Sequence, residues 1–114
     1  MIRARGVDLV QADAADWVEA ALAKPQAPET THVLMHSIVW QYLPAQTQAR
    51  ITKAMETAAA TATPERPLAW IALETNRDTF QHELMVRYWP SGGEMTVLAM
   101  AHAHGVWVEW IGTA

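Results

Sequence analysis

Val7-Asp8-Leu9-Val10 is a short apolar run rich in β-branched residues, and it leads into Gln11-Ala12-Asp13, a helix-start signal. This pattern predicts a strand at about 6–11. Asp13 followed three residues later by Asp16 imitates a capping box with the shorter acid. Trp17, Ala20, Ala21 and Leu22 then fall at helical spacing, which predicts a helix over about 14–23. Lys24-Pro25-Gln26-Ala27-Pro28 closes that helix, because proline has no N–H to donate and disfavours helical geometry in the residue before it. His32 to Trp40 is almost continuously apolar, the pattern of a strand buried on both faces, and Leu43-Pro44 ends it. From Ala45 to Ala62, residues Ile51, Ala54, Met55, Ala58 and Ala62 recur at spacings of three and four, an amphipathic helix with a small-residue face suited to a sheet.

Pro64 and Pro67 bracket a loop, and Leu68 to Leu73 is a second continuous apolar run that ends at Glu74. The period then changes to two. Glu83 to Trp89 alternates, Pro90-Ser91-Gly92-Gly93 turns, Met95 to Ala101 alternates more weakly, His102 to Gly105 turns again, and Val106 to Ile111 closes the chain. The order is β-α-β-α-β followed by a three-stranded antiparallel meander. Helices between strands imply parallel crossovers, so the first three strands are expected to form a parallel sheet that the meander extends at one edge. In such open sheets ligands bind beyond the carboxyl ends of the strands, which singles out Asp13, the segment His36–Tyr42, and Glu74 with Thr75 and Asn76.

Composition narrows the classes. The 114 residues suit one domain, with 51% hydrophobic and 18% charged residues, against disorder. Eight scattered basic residues against twelve acidic ones argue against a nucleic-acid groove. The absence of cysteine excludes disulfides and thiol chemistry. Asp8 and Asp13 interrupt any signal-peptide core, and the uncharged stretch between Glu29 and Arg50 is too polar to span a membrane, so a cytoplasmic protein is expected. The six tryptophans are unusual for this length. Trp17 and Trp70 suit helix-to-sheet packing, Trp40 suits the crevice, and Trp89, Trp107 and Trp110 of the meander suit an apolar interface.

Each candidate has a chemical and a structural role. Asp13 either caps its helix or accepts hydrogen bonds from a ligand. His36 and Ser37 are either satisfied locally or face the crevice. They stand with Glu74 as candidate catalytic groups, Glu74 being otherwise a solvated strand-end carboxylate. Trp40 and Tyr42 stack on a planar ligand or belong to the core. His102 and His104 share a face if their strand persists, but they have no evident third partner, and no metal site is assigned. No glycine-rich phosphate loop, nucleophile elbow or HExxH motif occurs.

Taken together, His36-Ser37-Ile38-Val39-Trp40-Gln41-Tyr42-Leu43-Pro44, Ala69-Trp70-Ile71-Ala72-Leu73-Glu74 and His104-Gly105-Val106-Trp107-Val108-Glu109-Trp110 resemble the C-terminal part of a bacterial family, domain-of-unknown-function family 2332. That family's members are longer, and their organisation resembles class I S-adenosylmethionine-dependent methyltransferases. The resemblance implies a three-layer (αβα) Rossmann-like partial methyltransferase fold. Ala12-Asp13-Ala14 is similar to the motif whose acid contacts the adenine amine, and His36–Tyr42 to the motif lining the methionine and substrate side. Asp13 and Trp40 are therefore its cofactor-binding positions. The methyltransferase's first strand, its glycine-rich loop and its ribose-binding acid have no counterpart here. The implied protein is thus the C-terminal part of a larger domain, inactive alone, with S-adenosylmethionine belonging to the full-length family. Without the intervening strands, the strand at 6–11 is expected to pair directly with that at 32–40, or a homodimer or the missing N-terminal half is expected to cover the edge. The alternative function is a noncatalytic interaction or oligomerisation module built on the tryptophan-rich meander.

Overall fold

The structure is a computed structural model that describes residues 11–111. The strand expected at 6–11 and its pairing lie outside the described residues. Helix α1 (Ala14–Ala23) starts at Asp13, whose extended backbone lets Oδ1 accept the Asp16 N–H at 3.0 Å. Such a cap contributes about 1 kcal/mol. Asp16 does not complete the box, because its carboxylate turns outward to Arg50 at 2.8 Å. Ala15 and Val18 form the buried stripe of α1.

Strand β1 (His32–Ser37) leads through a short 3₁₀ turn at Trp40–Tyr42 to helix α2 (Ala45–Ala59), whose buried positions are Ile51 and Met55. The expected helix to Ala62 ends three residues early, the chain continuing in tight turns through Thr61 and Ala62. Strands β2 (Leu68–Thr75), β3 (His82–Trp89), β4 (Thr96–Ala101) and β5 (Val108–Trp110) follow. They form a five-stranded sheet in sequential order, with β1 parallel to β2 and every later pair antiparallel. The mixed α/β class, the parallel pair and the three-stranded meander thus agree with the pattern of the sequence.

The register decides what each face carries. His32, Leu34 and His36 of β1 stand beside Leu68, Trp70 and Ala72 of β2, and these beside Trp89, Arg87 and Met85 of β3. Both helices pack on this face, in a cluster of Ala15, Val18, Ile51, Met55, Leu68, Trp70 and Trp89. Burying one such large side chain stabilises the fold by about 1.5–3 kcal/mol, so this cluster is its main support. Among the described residues helices cover one face only, and the second helical layer of a three-layer fold is not seen. The other face buries Ala69, Ala99 and Ala101 and leaves Met35 66% exposed.

Four expectations are corrected by this register. β1 is not buried on both faces among the described residues: it is an edge strand whose side chains alternate between half-buried and exposed. It also ends at Ser37, because Ile38 adopts φ 47° and turns the chain out of the sheet. Trp17 is exposed, since Ala15 and Val18 rather than Trp17 face the sheet. Trp89 is not at a surface interface: its pairing with Leu68 sends it into the core. No helix among the described residues is long and apolar enough to cross a membrane.

Candidate functional site

The carboxyl ends of β1 and β2 lie side by side, with Ser37 opposite Leu73. Beyond Ser37 the chain must leave the sheet, and it does so through Ile38, held by its N–H to the Leu73 carbonyl at 2.8 Å. A β-branched residue with positive φ is strained by about 1–3 kcal/mol and persists only where its surroundings enforce it. Here the strained turn aims two successive backbone N–H groups, those of Val39 and Trp40, at the Glu74 carboxylate from 3.2–3.3 Å. The arrangement resembles the backbone concavities that hold anions, and the anion it holds is the protein's own.

Glu74 is buried and also meets His36, whose Nδ1 lies 2.6 Å from Oε2. The other ring nitrogen of His36, Nε2, accepts the indole N–H of Trp70 at 2.9 Å. Indole is only a donor, so Nε2 must present its lone pair, and the ring proton must lie on Nδ1 and point at Glu74. The imidazole is therefore fixed in one tautomer with both nitrogens engaged. Trp40 stacks on it, with centroids 5.2 Å apart and planes within 15°, and meets Trp70 edge-on at 5.6 Å. Gln48 of α2 donates to the Trp40 carbonyl at 2.7 Å, tying the turn to the helix that follows it.

This assembly walls a cavity of about 340 Å³ on the helix-covered face. Its floor is Ala72, whose small side chain sits between Trp70 and Glu74 along β2 and between His36 and Met85 across the sheet. Thr52 of α2 and Met95 also line it, and so does Arg87, which lies directly across from Trp70 on β3. The Arg87 guanidinium carbon lies 5.8 Å from the Trp70 ring and 4.8 Å from that of Trp89, and its Nε donates to the Gly93 carbonyl at 2.7 Å. The size and lining suit a small organic molecule, with aromatic walls and a few fixed polar groups.

The structure gathers His36, Glu74 and Trp40 at this cavity and leaves the other candidates elsewhere. Ser37 points to the opposite, exposed side of β1. Asp13 is exposed and caps α1. Tyr42 is exposed beyond the turn, and His104 is exposed at the far hairpin, where its N–H contacts His102 Nδ1 at 3.1 Å. Among the described residues no three His, Cys, Asp or Glu side chains converge as metal ligands. Glu74 is not the solvated strand-end carboxylate that sequence reasoning allows, because β2 continues to Thr75 beneath the turn. Nothing in the sequence pattern singles out Arg87 and Trp70 for the site. The alternation of Glu83, Met85 and Arg87 puts those three on one face, but only the β2–β3 register shows that this face is the one under the helices.

Comparison with curated proteins and with solved structures finds no match. A family model does match, over residues 1–110, and it is described as an uncharacterized protein conserved in bacteria. The chain belongs to that bacterial family, DUF2332.

Proposed function

We propose that the domain binds a flat, partly apolar small molecule between Trp40, Trp70 and Arg87, and that it contributes a binding wall of a methyltransferase-like site without its own acid–base machinery. The observation that carries this reading is the engagement of both ring nitrogens of His36 and of the Glu74 carboxylate by three donors. A general base needs a lone pair within reach of the proton it removes. The Nε2 lone pair of His36 is taken by Trp70, and the Glu74 carboxylate is met by His36 and two backbone N–H groups. The network holds two indole rings in place beside a cavity, a positioning task. The network closes the carboxyl ends of the parallel pair β1 and β2, the end at which open α/β sheets bind ligands.

Calorimetry and tryptophan fluorescence with S-adenosylmethionine, S-adenosylhomocysteine and indole test the proposal. Saturable binding of at least one of them is expected, weakened by Ala72→Leu, which fills the floor. Binding of the two adenosyl compounds supports the methyltransferase-like organisation, and binding of indole alone restricts the reading to the crevice. No saturation by any of the three at millimolar concentration overturns it. A second reading, assembly through the closing hairpin, is favoured by the 51% and 58% exposure of Trp107 and Trp110 beside exposed Val106, Val108 and Ile111. A dimeric parent that stays wholly dimeric after Trp107→Ala in sedimentation removes that interface.

A further inference from the structure

Resting on the crevice reading above, we infer that the ligand is an aromatic carboxylate, its ring held against Trp40 and Trp70 and its carboxylate on the guanidinium of Arg87. The ring requirement follows from the walls, where two indoles meet edge-on in a cavity that the small residue Ala72 also lines. The acid requirement follows from Arg87. Its side chain is only 21% exposed, and its guanidinium carbon lies over the rings of Trp70 and Trp89, so the charge is partly withdrawn from water. Its Nε is fixed by the Gly93 carbonyl, which sets the direction of the fork.

The nearest carboxylate, Glu56, approaches Nη2 only to 3.5 Å, whereas a well-formed guanidinium–carboxylate bond measures about 2.7–2.9 Å. Glu56 is also more than half exposed, so it is a loose counterion that a ligand carboxylate can displace. The other acid of the cavity, Glu74, is held by His36 and two N–H groups and does not compete for Arg87. A planar fork beside aromatic walls matches a carboxylate attached to a ring better than it matches a cation or a neutral polar group.

The test compares indole-3-acetate with indole-3-acetamide, which differ in charge and not in ring, by calorimetry of the whole chain at low salt. The acid is expected to bind at least about tenfold tighter, the scale of one charge-assisted hydrogen bond. Arg87→Met is expected to bring the acid down to the amide's affinity and leave the amide unchanged. Glu56→Gln, an exposed change that leaves the core intact, is expected to tighten the acid alone by removing the competing carboxylate. Equal binding of acid and amide, or no gain for the acid in Glu56→Gln, overturns the inference and leaves the crevice reading standing. Failure of both compounds to bind also overturns the inference, and the crevice reading then stands or falls with the three ligands named for it above. If Arg87→Met does not fold, the acid-to-amide ratio and the Glu56→Gln arm decide.

Discussion

Two regions of this domain use the same residue types with opposite results. At the ends of β1 and β2, His36, Trp40, Trp70 and Glu74 interlock so that both imidazole nitrogens, the indole N–H of Trp70 and the carboxylate are all engaged. In the closing hairpin, His104, Trp107, Glu109 and Trp110 are exposed, and their side chains make no hydrogen bond among the described residues. The difference is one of position. The first set lies on the helix-covered face, where every polar atom removed from water must find a partner. The second lies on and beside β5, three residues long and an edge strand among the described residues, where water supplies partners. Residue type alone therefore does not identify a site; coverage by α2 and the strained turn at Ile38 do.

The largest expected effect breaks this contrast at its centre. Glu74→Ala leaves three donors facing an empty, buried space: the His36 Nδ1–H and the N–H groups of Val39 and Trp40. Leaving buried donors unpaired costs about 1–3 kcal/mol each, so the loss is a large share of what a domain of this size holds. Glu74→Gln keeps the shape but turns an NH₂ toward donors, at about 1–3 kcal/mol. Glu109→Ala, on the exposed edge strand, is expected within about 0.5 kcal/mol of the parent. Urea unfolding measures all three, and a Glu74→Ala loss no greater than that of Glu109→Ala would show that the network does not hold the turn.

How much of this contrast was legible beforehand depends on what kind of information each part needs. The helix at 14–23 was readable because Asp13, the apolar spacing and the Lys24–Pro28 breaker all agree locally. The hairpins were readable from Pro90–Gly93 and the period of two. The end of β1 was not, because Ile38 and Val39 favour extended backbone and the turn is held by residues distant in sequence, Glu74 among them, contacted across 35 residues. Trp89 misled for the same reason: alternation gives a strand two faces, and its pairing with Leu68 chooses the buried one. The strand-end positions of His36 and Glu74 mark them as candidates, but their mutual engagement is a property of geometry that spacing does not contain.

The two turns of the meander sharpen the comparison at an intermediate scale. Gly93 and Gly105 both have positive φ, at 70° and 77°. A side chain in that conformation costs about 1–2 kcal/mol in either place. At Gly105 a Cβ meets nothing within 4 Å, so Gly105→Ala is expected to show only this backbone cost. At Gly93 a Cβ falls 2.0 Å from Nε1 of Trp89, a core ring that cannot move without disturbing Arg87. Gly93→Ala is therefore expected to add the overpacking cost, for about 2–4 kcal/mol in total. Equal shifts in the unfolding midpoint for the two variants would contradict the claim that the first turn supports the crevice and the second stands free.

The smallest effect tests what a carboxylate contributes when it is not enclosed. Between α1 and α2, Arg50 reaches Glu19 at 2.6 Å and Asp16 at 2.8 Å, all three groups at the surface. The hydrogen bond from Arg50, and then its charge, hold the Glu19 carboxyl below its ordinary value of 4.5, and the same contacts raise Arg50. A carboxyl that folding makes more acidic adds stability above its unfolded value, and that addition fades as pH falls through the folded value. Arg50→Gln is thus expected to lower the urea midpoint slightly at pH 7, with the gap from the parent narrowing steadily below about pH 4.5 as the parent's carboxyls take up protons. Added salt is expected to narrow it at pH 7 as well, since exposed pairs are screened. A gap that stays constant from pH 7 to pH 3 would mean that the arginine acts by packing its stem between the helices, and the ion pairs would then contribute nothing to joining α1 to α2.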